Sequence, residues 1–275
     1  MTRIALFQST AGIDPARNAR GLTEAIEQAS AGGAEMLFTP EMTGLLDRDS
    51  ARAAKVLREQ DQDEVLAAAQ AAAARHRTWV HVGSLAVLVD NGKVANRSFV
   101  IDREGSIRAT YDKIHLFDVD LPTGESWRES NTYSPGSGGT LVNGTPVGKL
   151  GLTICYDLRF PGLFARHAES DADVIAVPAA FTVPTGKAHW HILLRARAIE
   201  AGLFVVAAAQ VGHHEDGRTT FGHSLVIDPW GEILLDMGEE KGVGFADIDL
   251  KRISDVRSRI PALNHRRPIP DAVSL

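Results

Sequence analysis

Three residues that are far apart in the sequence have side chains suited to carrying out a reaction together. Cys155, which is the only cysteine, Glu41 and Lys113 each come at or just after the end of an apolar segment typical of a β-strand. A thiolate can attack a carbonyl or nitrile carbon, and a carboxylate can take the thiol proton and later deliver it to a leaving amine. An ammonium group can lower the thiol pKa and stabilise an oxyanion. The three residue types together therefore fit acyl transfer.

Each of these residues also has a structural interpretation, and the cysteine has a second catalytic one. A lone cysteine is often a small buried hydrophobic residue, Glu41 could cap the loop that follows its strand, and Lys113 could be solvated. Alternatively, Cys155 could pair with a histidine, as in cysteine proteases. The histidines available for such a pair are His115, His189 and His223. This second arrangement leaves Glu41 and Lys113 without a role.

The composition restricts the classes of protein to which the chain can belong. It has 275 residues, 44% of them hydrophobic, and a formal net charge of −6 from 29 Lys+Arg against 35 Asp+Glu. This mildly acidic balance argues against a general role in binding nucleic acid or membrane surfaces. No segment resembles a signal peptide or a membrane span, and a single cysteine fits a reducing compartment. We therefore expect a cytoplasmic protein.

A bound metal is not expected from the sequence. One cysteine excludes zinc sites that are built from several cysteines. The closest histidine pairs are His189 with His191 and His213 with His214, and neither has the spacing of the His-Glu-x-x-His zinc motif. We therefore expect no metal, and the acyl-transfer chemistry needs no organic cofactor.

The elements that must position the three residues alternate between strands and helices. The predicted strands are 4–8, 36–40, 80–89, 94–101, 107–111, 150–154, 174–179, 204–209, 222–228, 232–236 and 243–248. The predicted helices begin at Pro15, at Asp61 as the capping residue, at Pro161, at Ala188 and at Asp249. This alternation predicts an α/β layered fold in one domain, residues 1–275, with a C-terminal tail over 262–275. Such sheets gather functional groups at the carboxyl ends of their strands.

Two connections have a distinct composition. Residues 90–93 read Asp-Asn-Gly-Lys, which predicts a tight hairpin turn because Asn-Gly tolerates positive φ angles. Residues 117–139 are rich in glycine, proline, serine and acidic residues. A connection of that length within one domain is typically functional or disordered.

Several longer segments around the three residues match one family pattern in the same order along the chain. They are residues 37–41, 111–117, 151–161, 195–200 and 221–231. On these segments the chain resembles the nitrilase, or carbon–nitrogen hydrolase, superfamily over nearly its whole length. The resemblance implies a four-layer α-β-β-α sandwich of the nitrilase type. It also implies dimerisation through helices next to the active site, so we expect a homodimer or a higher homo-oligomer.

The resemblance also assigns roles to individual residues. The Glu-Lys-Cys triad of the family corresponds to Glu41, Lys113 and Cys155. The family has a second glutamate in the loop before the cysteine strand, for which Glu129 is the better match and Glu125 the alternative. The backbone N–H of Tyr156 is expected to hold the oxyanion together with the lysine.

The resemblance narrows the reaction further. Segments 180–190 and 206–210 resemble the Nit amidase branch, most closely the deaminated glutathione amidases. The implied reaction is hydrolysis of a small linear carboxamide through a cysteine thioester, with ammonia released from a primary amide. Deaminated glutathione is the implied substrate, and an ω-amidase acting on α-ketoglutaramate or α-ketosuccinamate is the alternative. The same triad is compatible with an N-carbamoyl amino-acid hydrolase, a nitrilase or an acyltransferase, and an inactive family member would instead act as a binding protein.

A small-molecule amide that carries a carboxylate requires a cation in its binding site. Arg159, four residues after the cysteine, is the first candidate and Lys187 the second, and we expect Phe181 and Thr182 to line the same site. Arg159 could instead form a structural ion pair with Asp157. Lys187 stands where the resemblance predicts a proline, a departure that bears on the substrate and not on the chemistry.

Overall fold

The computed structural model describes residues 1–89, 92–120, 124 and 126–270, and its centre is a pair of six-stranded sheets. The first sheet has the spatial order β16 (Gly242–Ile248), β1 (Thr2–Gln8), β2 (Met36–Phe38), β3 (Trp79–Leu88), β4 (Val94–Ile101) and β5 (Ile107–Asp112). The second has the order β15 (Ile233–Asp236), β14 (Leu225–Ile227), β11 (Phe204–Ala207), β10 (Val174–Ala176), β9 (Gly148–Leu152) and β8 (Thr140–Thr145). In each sheet three neighbouring strands are parallel, namely β1 to β3 and β9 to β11, and the outer strands are antiparallel.

Helices cover the outer face of each sheet. The first sheet is covered by α1 (Pro15–Ala31) and α3 (Glu64–His76), and the second by α4 (Pro161–Glu169) and α5 (Val183–Ala201). A third apolar cluster lies between the sheets and includes Leu6 and Phe38 from the first and Leu150 and Val206 from the second. The layers therefore run helix, sheet, sheet, helix, which confirms the predicted four-layer sandwich.

The pattern of buried residues explains why the helices form where they do. In α1 the buried side chains recur at helical spacing, so one apolar face meets the sheet; they are Ala19, Leu22, Ala25, Ile26 and Ala29. The Asp14 carboxylate caps this helix by accepting a hydrogen bond of 3.0 Å from Ala16 N, and Pro15 occupies the first helical position. The predicted start of this helix is therefore confirmed.

The remaining elements are short. They are α2 (Ser50–Ala53), the hairpin of β6 (Asp118–Asp120) with β7 (Ser126–Arg128), the hairpin of β12 (Val211–His213) with β13 (Thr219–Phe221), and α6 (Lys251–Arg259). The long 117–139 connection thus contains the β6–β7 hairpin and a 3₁₀ turn over Glu129–Asn131. The second hairpin was not predicted from the sequence.

Three predicted helix starts were wrong, including that of α6, which begins at Lys251 and not at Asp249. The capping residue of α3 is Asp63, whose carboxylate accepts from Leu66 N at 2.8 Å, because Gln60–Gln62 form a separate 3₁₀ turn. Helix α5 begins at Val183, five residues before the predicted start, because a proline in the first helical turn removes no intrahelical hydrogen bond. Of the predicted 90–93 turn, Asp90 and Asn91 lie outside the described residues.

The C-terminal tail is described as far as residue 270. Within it, the Arg266 guanidinium donates to Glu169 Oε1 at 3.1 Å, so this part of the tail lies along α4. Among the described residues no helix combines the length and the hydropathy required to cross a membrane.

Candidate active site

Glu41, Lys113 and Cys155 meet where the two sheets face each other. Glu41 follows β2, Lys113 directly follows β5, and Cys155 lies three residues after β9. Lys113 Nζ donates to Glu41 Oε1 at 2.9 Å, and the Cys155 thiol is near enough to the same glutamate for the two groups to shift each other's pKa. Glu41 and Lys113 are 5% and 2% exposed, whereas Cys155 is half-buried and faces a cavity. The structure therefore brings together the three residues that the sequence singled out.

The backbone presents Cys155 on a sharp turn. Its φ angle of 48° is in the left-handed region, which non-glycine residues seldom adopt. Its N–H donates to Pro178 O at 2.9 Å, and residues Cys155–Arg159 then form a 3₁₀ turn. The next N–H, that of Tyr156, has no acceptor among the residues that the structure describes. This N–H is thus available to a ligand beside the thiol.

Glu129 provides a second carboxylate for the lysine. Its two carboxylate oxygens accept from Lys113 Nζ at 3.1 and 3.0 Å, and one of them accepts from Phe117 N at 2.6 Å. The alternative residue, Glu125, lies outside the described residues. Because Glu129 and Glu41 both accept from Lys113, the ammonium group is fixed between two carboxylates.

Asn96 links the two glutamates and was not identified from the sequence. Its Nδ2 donates to Glu41 Oε1 at 2.9 Å and to Glu129 Oε1 at 3.2 Å, and its backbone carbonyl accepts from Lys113 N at 3.0 Å. Asn96 is a buried amide between the apolar pair Val94-Ala95 and the polar pair Arg97-Ser98 of strand β4, and a buried amide inside a strand is the signal that could have identified it.

Asp157 holds the lysine loop against the cysteine loop. Its buried carboxylate accepts from Tyr111 Oη at 2.6 Å, from His115 Nδ1 at 2.7 Å and from Ile154 N at 2.8 Å. Tyr111 and His115 lie two residues before and after Lys113, and Ile154 precedes the cysteine. This carboxylate therefore joins the two loops and is not the ion-pair partner of Arg159.

Gly83 in β3 permits the close approach of the loop that carries Glu41. A Cβ atom at this position would overlap the carbonyl oxygens of Thr39 and Pro40, and it would also press on Pro178 of the second sheet. The Gly83 N–H donates to Thr39 Oγ1 at 3.0 Å. The absence of a side chain here is thus a requirement for placing Glu41.

The ionisation states of the triad follow from burial and from the neighbouring charges. Burial raises the pKa of Glu41, but the charge of Lys113 and the hydrogen bonds to the carboxylate outweigh burial, so the net pKa is below its usual value. Burial and the Glu41 charge raise the pKa of the Cys155 thiol well above its usual value, against the opposing effect of Lys113. Burial lowers the pKa of Lys113, but the charges of Glu129 and Glu41 have the larger effect, so the net pKa is well above its usual value. The resting site is therefore a neutral thiol beside a carboxylate and an ammonium group.

The triad opens into a cavity of about 530 Å³. Arg159, Phe181 and Thr182 line this cavity, as predicted for a substrate site. The Arg159 guanidinium lies 5.7 Å from the centre of the Phe181 ring and 3.3 Å from His189 Nδ1, and it pairs with no carboxylate among the described residues. Lys187 does not line the cavity, because it is exposed on the outer side of α5 as the fifth residue of that helix.

The structure does not place a histidine beside the thiol within the described part of the chain. His115 is bonded to Asp157 and stacks on Phe160 with ring centres 3.6 Å apart, and His189 contacts Arg159. His223 Nδ1 lies 2.9 Å from Asp236 Oδ1, in hydrogen-bond contact with that carboxylate. The arrangement of a cysteine protease is thus not formed here.

One cluster outside the cavity has the composition of a metal site. His191, His223 and Asp236 place one potential ligand atom each within 4.8 Å of the others, the only such group found among the described residues. Asp236 is hydrogen-bonded to both histidines, at 3.0 and 2.9 Å. The spacing of the histidines in the sequence did not predict this cluster, since α5, the 222–224 turn and β15 come together only in the fold.

Comparisons with known proteins agree with this geometry. The carbon–nitrogen hydrolase family matches residues 3–258. The deaminated glutathione amidase of Yersinia enterocolitica is 37% identical over 273 residues, which is 98% of this chain and 94% of that protein. The NitFhit protein of C. elegans superimposes with a TM-score of 0.89 at 36% identity, covering 97% of this chain, although the chain spans only 65% of that longer protein.

A third relative bears on the cysteine. The amidase from Nesterenkonia sp. AN1 superimposes with a TM-score of 0.77 at 26% identity, covering 95% of this chain and 98% of that one. Its structure shows the product of Michael addition of acrylamide at the active-site cysteine. On the extent of the family match and of these similarities, the chain belongs to the carbon–nitrogen hydrolase family and is a hydrolase of non-peptide carbon–nitrogen bonds.

Proposed function

We propose that this protein is an amidase that uses Cys155 as its nucleophile, Glu41 as its acid and base, and Lys113 to stabilise the oxyanion. The observation that carries the proposal is the convergence of these three side chains at one end of a closed-in cavity. Their ionisation supports the same roles, because an ionised Glu41 beside a neutral thiol is a base next to the proton that it must remove.

The first half of the reaction forms a thioester. Glu41 takes the thiol proton as Cys155 Sγ attacks the amide carbon, and the carbonyl oxygen becomes an oxyanion. Lys113 and the free Tyr156 N–H stabilise this oxyanion, and one fixed donor of this kind contributes roughly 3–4 kcal/mol to lowering the barrier. Glu41 then returns the proton to the amide nitrogen, the carbon–nitrogen bond breaks, and an amine or ammonia leaves.

The second half releases the acid. Glu41, again ionised, removes a proton from a water molecule, which attacks the thioester carbon. The carbon–sulfur bond breaks and the proton returns to the sulfur, so the thiol and the carboxylate are restored. Glu129 and Asn96 act as positioning residues in both halves, because their contacts to Lys113 and Glu41 keep the ammonium group and the carboxylate in place.

For the substrate, we propose deaminated glutathione, in line with the relatives that carry this activity in their names. Arg159 supports an anionic substrate, since it lines the cavity without a carboxylate partner among the described residues. The amide nitrogen of deaminated glutathione belongs to its cysteine residue, so the leaving group is a dipeptide amine. Ammonia is released only from a primary amide such as α-ketoglutaramate, the substrate of the alternative ω-amidase reaction.

The test is a comparison of substrates on wild-type and Cys155→Ala protein. The substrates are deaminated glutathione, α-ketoglutaramate, a carbamoyl amino acid and a simple nitrile, with the carboxylic acid product followed in each case. We expect turnover that depends on Cys155 and is fastest with deaminated glutathione. Faster turnover of another substrate would replace the proposed one, and equal rates for the two proteins would refute the cysteine mechanism and favour an inactive binding protein.

We also propose that the protein forms a homodimer through α5. The helix exposes Ile192 and Ile199, which are 70% and 53% accessible, and an exposed apolar face next to a site is typical of an interface. We expect sedimentation velocity to give a dimer for wild type and a monomer for an Ile192→Glu, Ile199→Glu variant. Ile269→Glu, which alters an equally apolar exposed residue in the tail, serves as the control and should stay dimeric.

A catalytic thiol has to remain reduced, so we further propose a cytoplasmic location, where reducing conditions prevail. Fractionation of cells that express the full chain would test this location, and recovery from an oxidising compartment would contradict it.

A further inference from the structure

The cavity is larger than a short keto acid amide requires. Its volume of about 530 Å³ is in the range of pockets that enclose drug-sized ligands. A substrate as small as α-ketoglutaramate would leave most of this volume unfilled. Space therefore remains for a substituent on the amide nitrogen, which is the part of the substrate that leaves.

A group of basic and aromatic side chains occupies the wall of this additional space. Arg48 and Arg218 both line the cavity, and their guanidinium carbons lie 5.5 and 5.2 Å from the centre of the Trp127 ring. Trp127 in turn lies 6.4 Å from Phe117, and Phe117 lies 5.0 Å from Tyr156, the neighbour of the nucleophile, measured between ring centres. This Arg48–Arg218–Trp127 group thus connects to the reactive end of the cavity through aromatic contacts.

The group has hydrogen-bond donors that no protein acceptor uses. Among the described residues, the Arg48 guanidinium pairs with no carboxylate, and Arg218 engages Asp216 through Nε alone, at 2.6 Å. Asp216 also accepts from Arg48 N and Arg218 N, so its oxygens are already occupied. The indole Nε1–H of Trp127 is buried and has no acceptor in the described part of the chain.

Unused guanidinium donors are not general among the arginines near this cavity. Arg52 is bonded to Asp47 through two nitrogens, at 2.7 and 2.8 Å. Arg128, which also lines the cavity, is bonded to both oxygens of Asp120 at 2.9 Å. Arg159, the cation already proposed to bind an anionic substrate, contacts Phe181 and His189 instead of Trp127. The cavity therefore has a second cationic position with unused donors.

We propose that Arg48, Arg218 and Trp127 bind a carboxylate on the leaving amine of the substrate. This inference rests on the proposed amidase function and specifies its substrate class: N-substituted amides that are anionic at both ends. Planar guanidinium groups suit carboxylate recognition, and the Trp127 ring holds both of them through cation–π contact. The terminal glycine carboxylate of deaminated glutathione has the required chemistry, whereas α-ketoglutaramate has no group that reaches this position.

The test compares two substrates that differ only in this carboxylate. Deaminated glutathione and its C-terminal amide are each measured with wild-type and Arg48→Met protein. Because the substrate carboxylate and the two arginines would form charged hydrogen bonds that are partly exposed to solvent, we expect wild type to prefer the acid by roughly 10-fold in kcat/KM. Arg48→Met should reduce this preference to roughly 3-fold, because Arg218 still offers a cation, and a melting temperature equal to that of wild type would show that the variant is folded. Arg218→Met should act in the same direction.

The control removes a positive charge elsewhere. Arg20→Met, on the exposed face of α1 and outside the cavity, should keep the wild-type preference. An equal rate on acid and amide in wild type, or an unchanged preference in Arg48→Met, would overturn the proposed carboxylate site.

A second measurement separates this inference from the proposed function. If wild type hydrolyses neither form, the amidase assignment for this substrate fails. Binding of the two forms to Cys155→Ala protein, measured by calorimetry, then tests the carboxylate site independently of turnover. Preferential binding of the acid that is lost in Cys155→Ala, Arg48→Met would support the site. Equal binding of both forms, or no binding of either, would refute it.

Discussion

Lys113 donates a 2.9 Å hydrogen bond to Glu41, and both side chains are almost completely removed from solvent. Because Glu129 also accepts from Lys113, the site holds two carboxylates and one ammonium group, so its net charge is negative beside the thiol. The charge of Lys113 does lower the pKa of the Cys155 thiol, as expected from the residue types. Burial and the charge of Glu41 nevertheless outweigh it and raise the pKa of Cys155. The mechanism proposed above therefore relies on proton transfer from Cys155 to Glu41 and not on a thiolate that exists at rest.

Glu41→Gln is expected to separate turnover from the reactivity of the thiol. The substitution removes the base, so kcat should fall by at least about 10²-fold. It also removes the negative charge that raises the pKa of Cys155, while Lys113 stays in place. The pH midpoint for alkylation by a small non-amide thiol reagent should therefore move to lower pH than in wild type. An unchanged or higher midpoint would contradict the electrostatic account, and Cys155→Ala controls for labelling elsewhere.

Lys113→Met is expected to destabilise the fold as well as abolish activity. It leaves two buried carboxylates without their cation, and breaking a buried pair in this way typically costs about 3–5 kcal/mol of unfolding free energy. Chemical denaturation would measure this loss. Adding Glu129→Gln should recover part of it, because one of the unpaired charges is then gone. A double variant less stable than the single one would refute this explanation.

The same pair predicts how that stability loss depends on pH. In wild type the pKa of Glu41 is lowered on folding, so its contribution is present above the unfolded value of about 4.5 and is lost as pH falls through the lower folded value. In Lys113→Met, burial, which is the largest effect on Glu41, is no longer opposed by the lysine charge, so the pKa of Glu41 rises. As pH falls, Glu41 becomes protonated, and the cost of burying its unpaired charge disappears. The difference in unfolding free energy should thus be larger at pH 7 than at pH 4. A constant difference would show that charge is not its cause.

The pH profile of wild-type activity should have a wide plateau. Glu41 must be ionised and its pKa is lowered from 4.5, while the pKa values of Lys113 and Cys155 lie well above 10.5 and 9.0. None of the three residues changes its charge between about pH 5 and 9. We expect kcat/KM for a neutral amide to be flat over this range, with the acid limb below about pH 4.5. A limb near pH 6.5 would instead implicate a histidine.

Gly83→Ala is expected to affect catalysis from a position outside the cavity. The added methyl group would overlap the carbonyl oxygens of Thr39 and Pro40, so the loop that carries Glu41 must move. Such overpacking typically costs about 1–3 kcal/mol, and a shifted base should lower kcat by roughly 10-fold or more. Gly21→Ala is the matched control, since a Cβ there meets nothing within 4 Å and lies in helix α1. Wild-type activity in Gly83→Ala would show that the loop adapts.

Arg159→Met should distinguish substrate binding from a structural role. Because Asp157 is bonded to Tyr111 and His115, removing Arg159 breaks no ion pair with it. We expect KM for anionic amides to rise by roughly 10-fold, with neutral amides and thermal stability unaffected. Equal losses on both kinds of amide, together with a lower melting temperature, would assign the arginine to the fold.

Local sequence patterns made Glu41, Lys113 and Cys155 candidates and predicted the layered α/β architecture, because each of these residues follows an apolar segment typical of a strand. The family resemblance was needed to assign the three residues their expected roles. The family resemblance supplied the four layers, which the comparison of structures confirms.

Only the tertiary structure determined how these residues act. Asn96 and Lys113 are 55 and 72 positions from Glu41, so their contacts, and the pKa shifts that follow, arise only when the sheets assemble. The same holds for Asp157, whose side-chain partners Tyr111 and His115 lie 46 and 42 residues away, and for Lys187, which the direction of α5 turns out of the cavity. Burial and through-space charge set the chemistry of a site, and neither can be calculated from residue order alone.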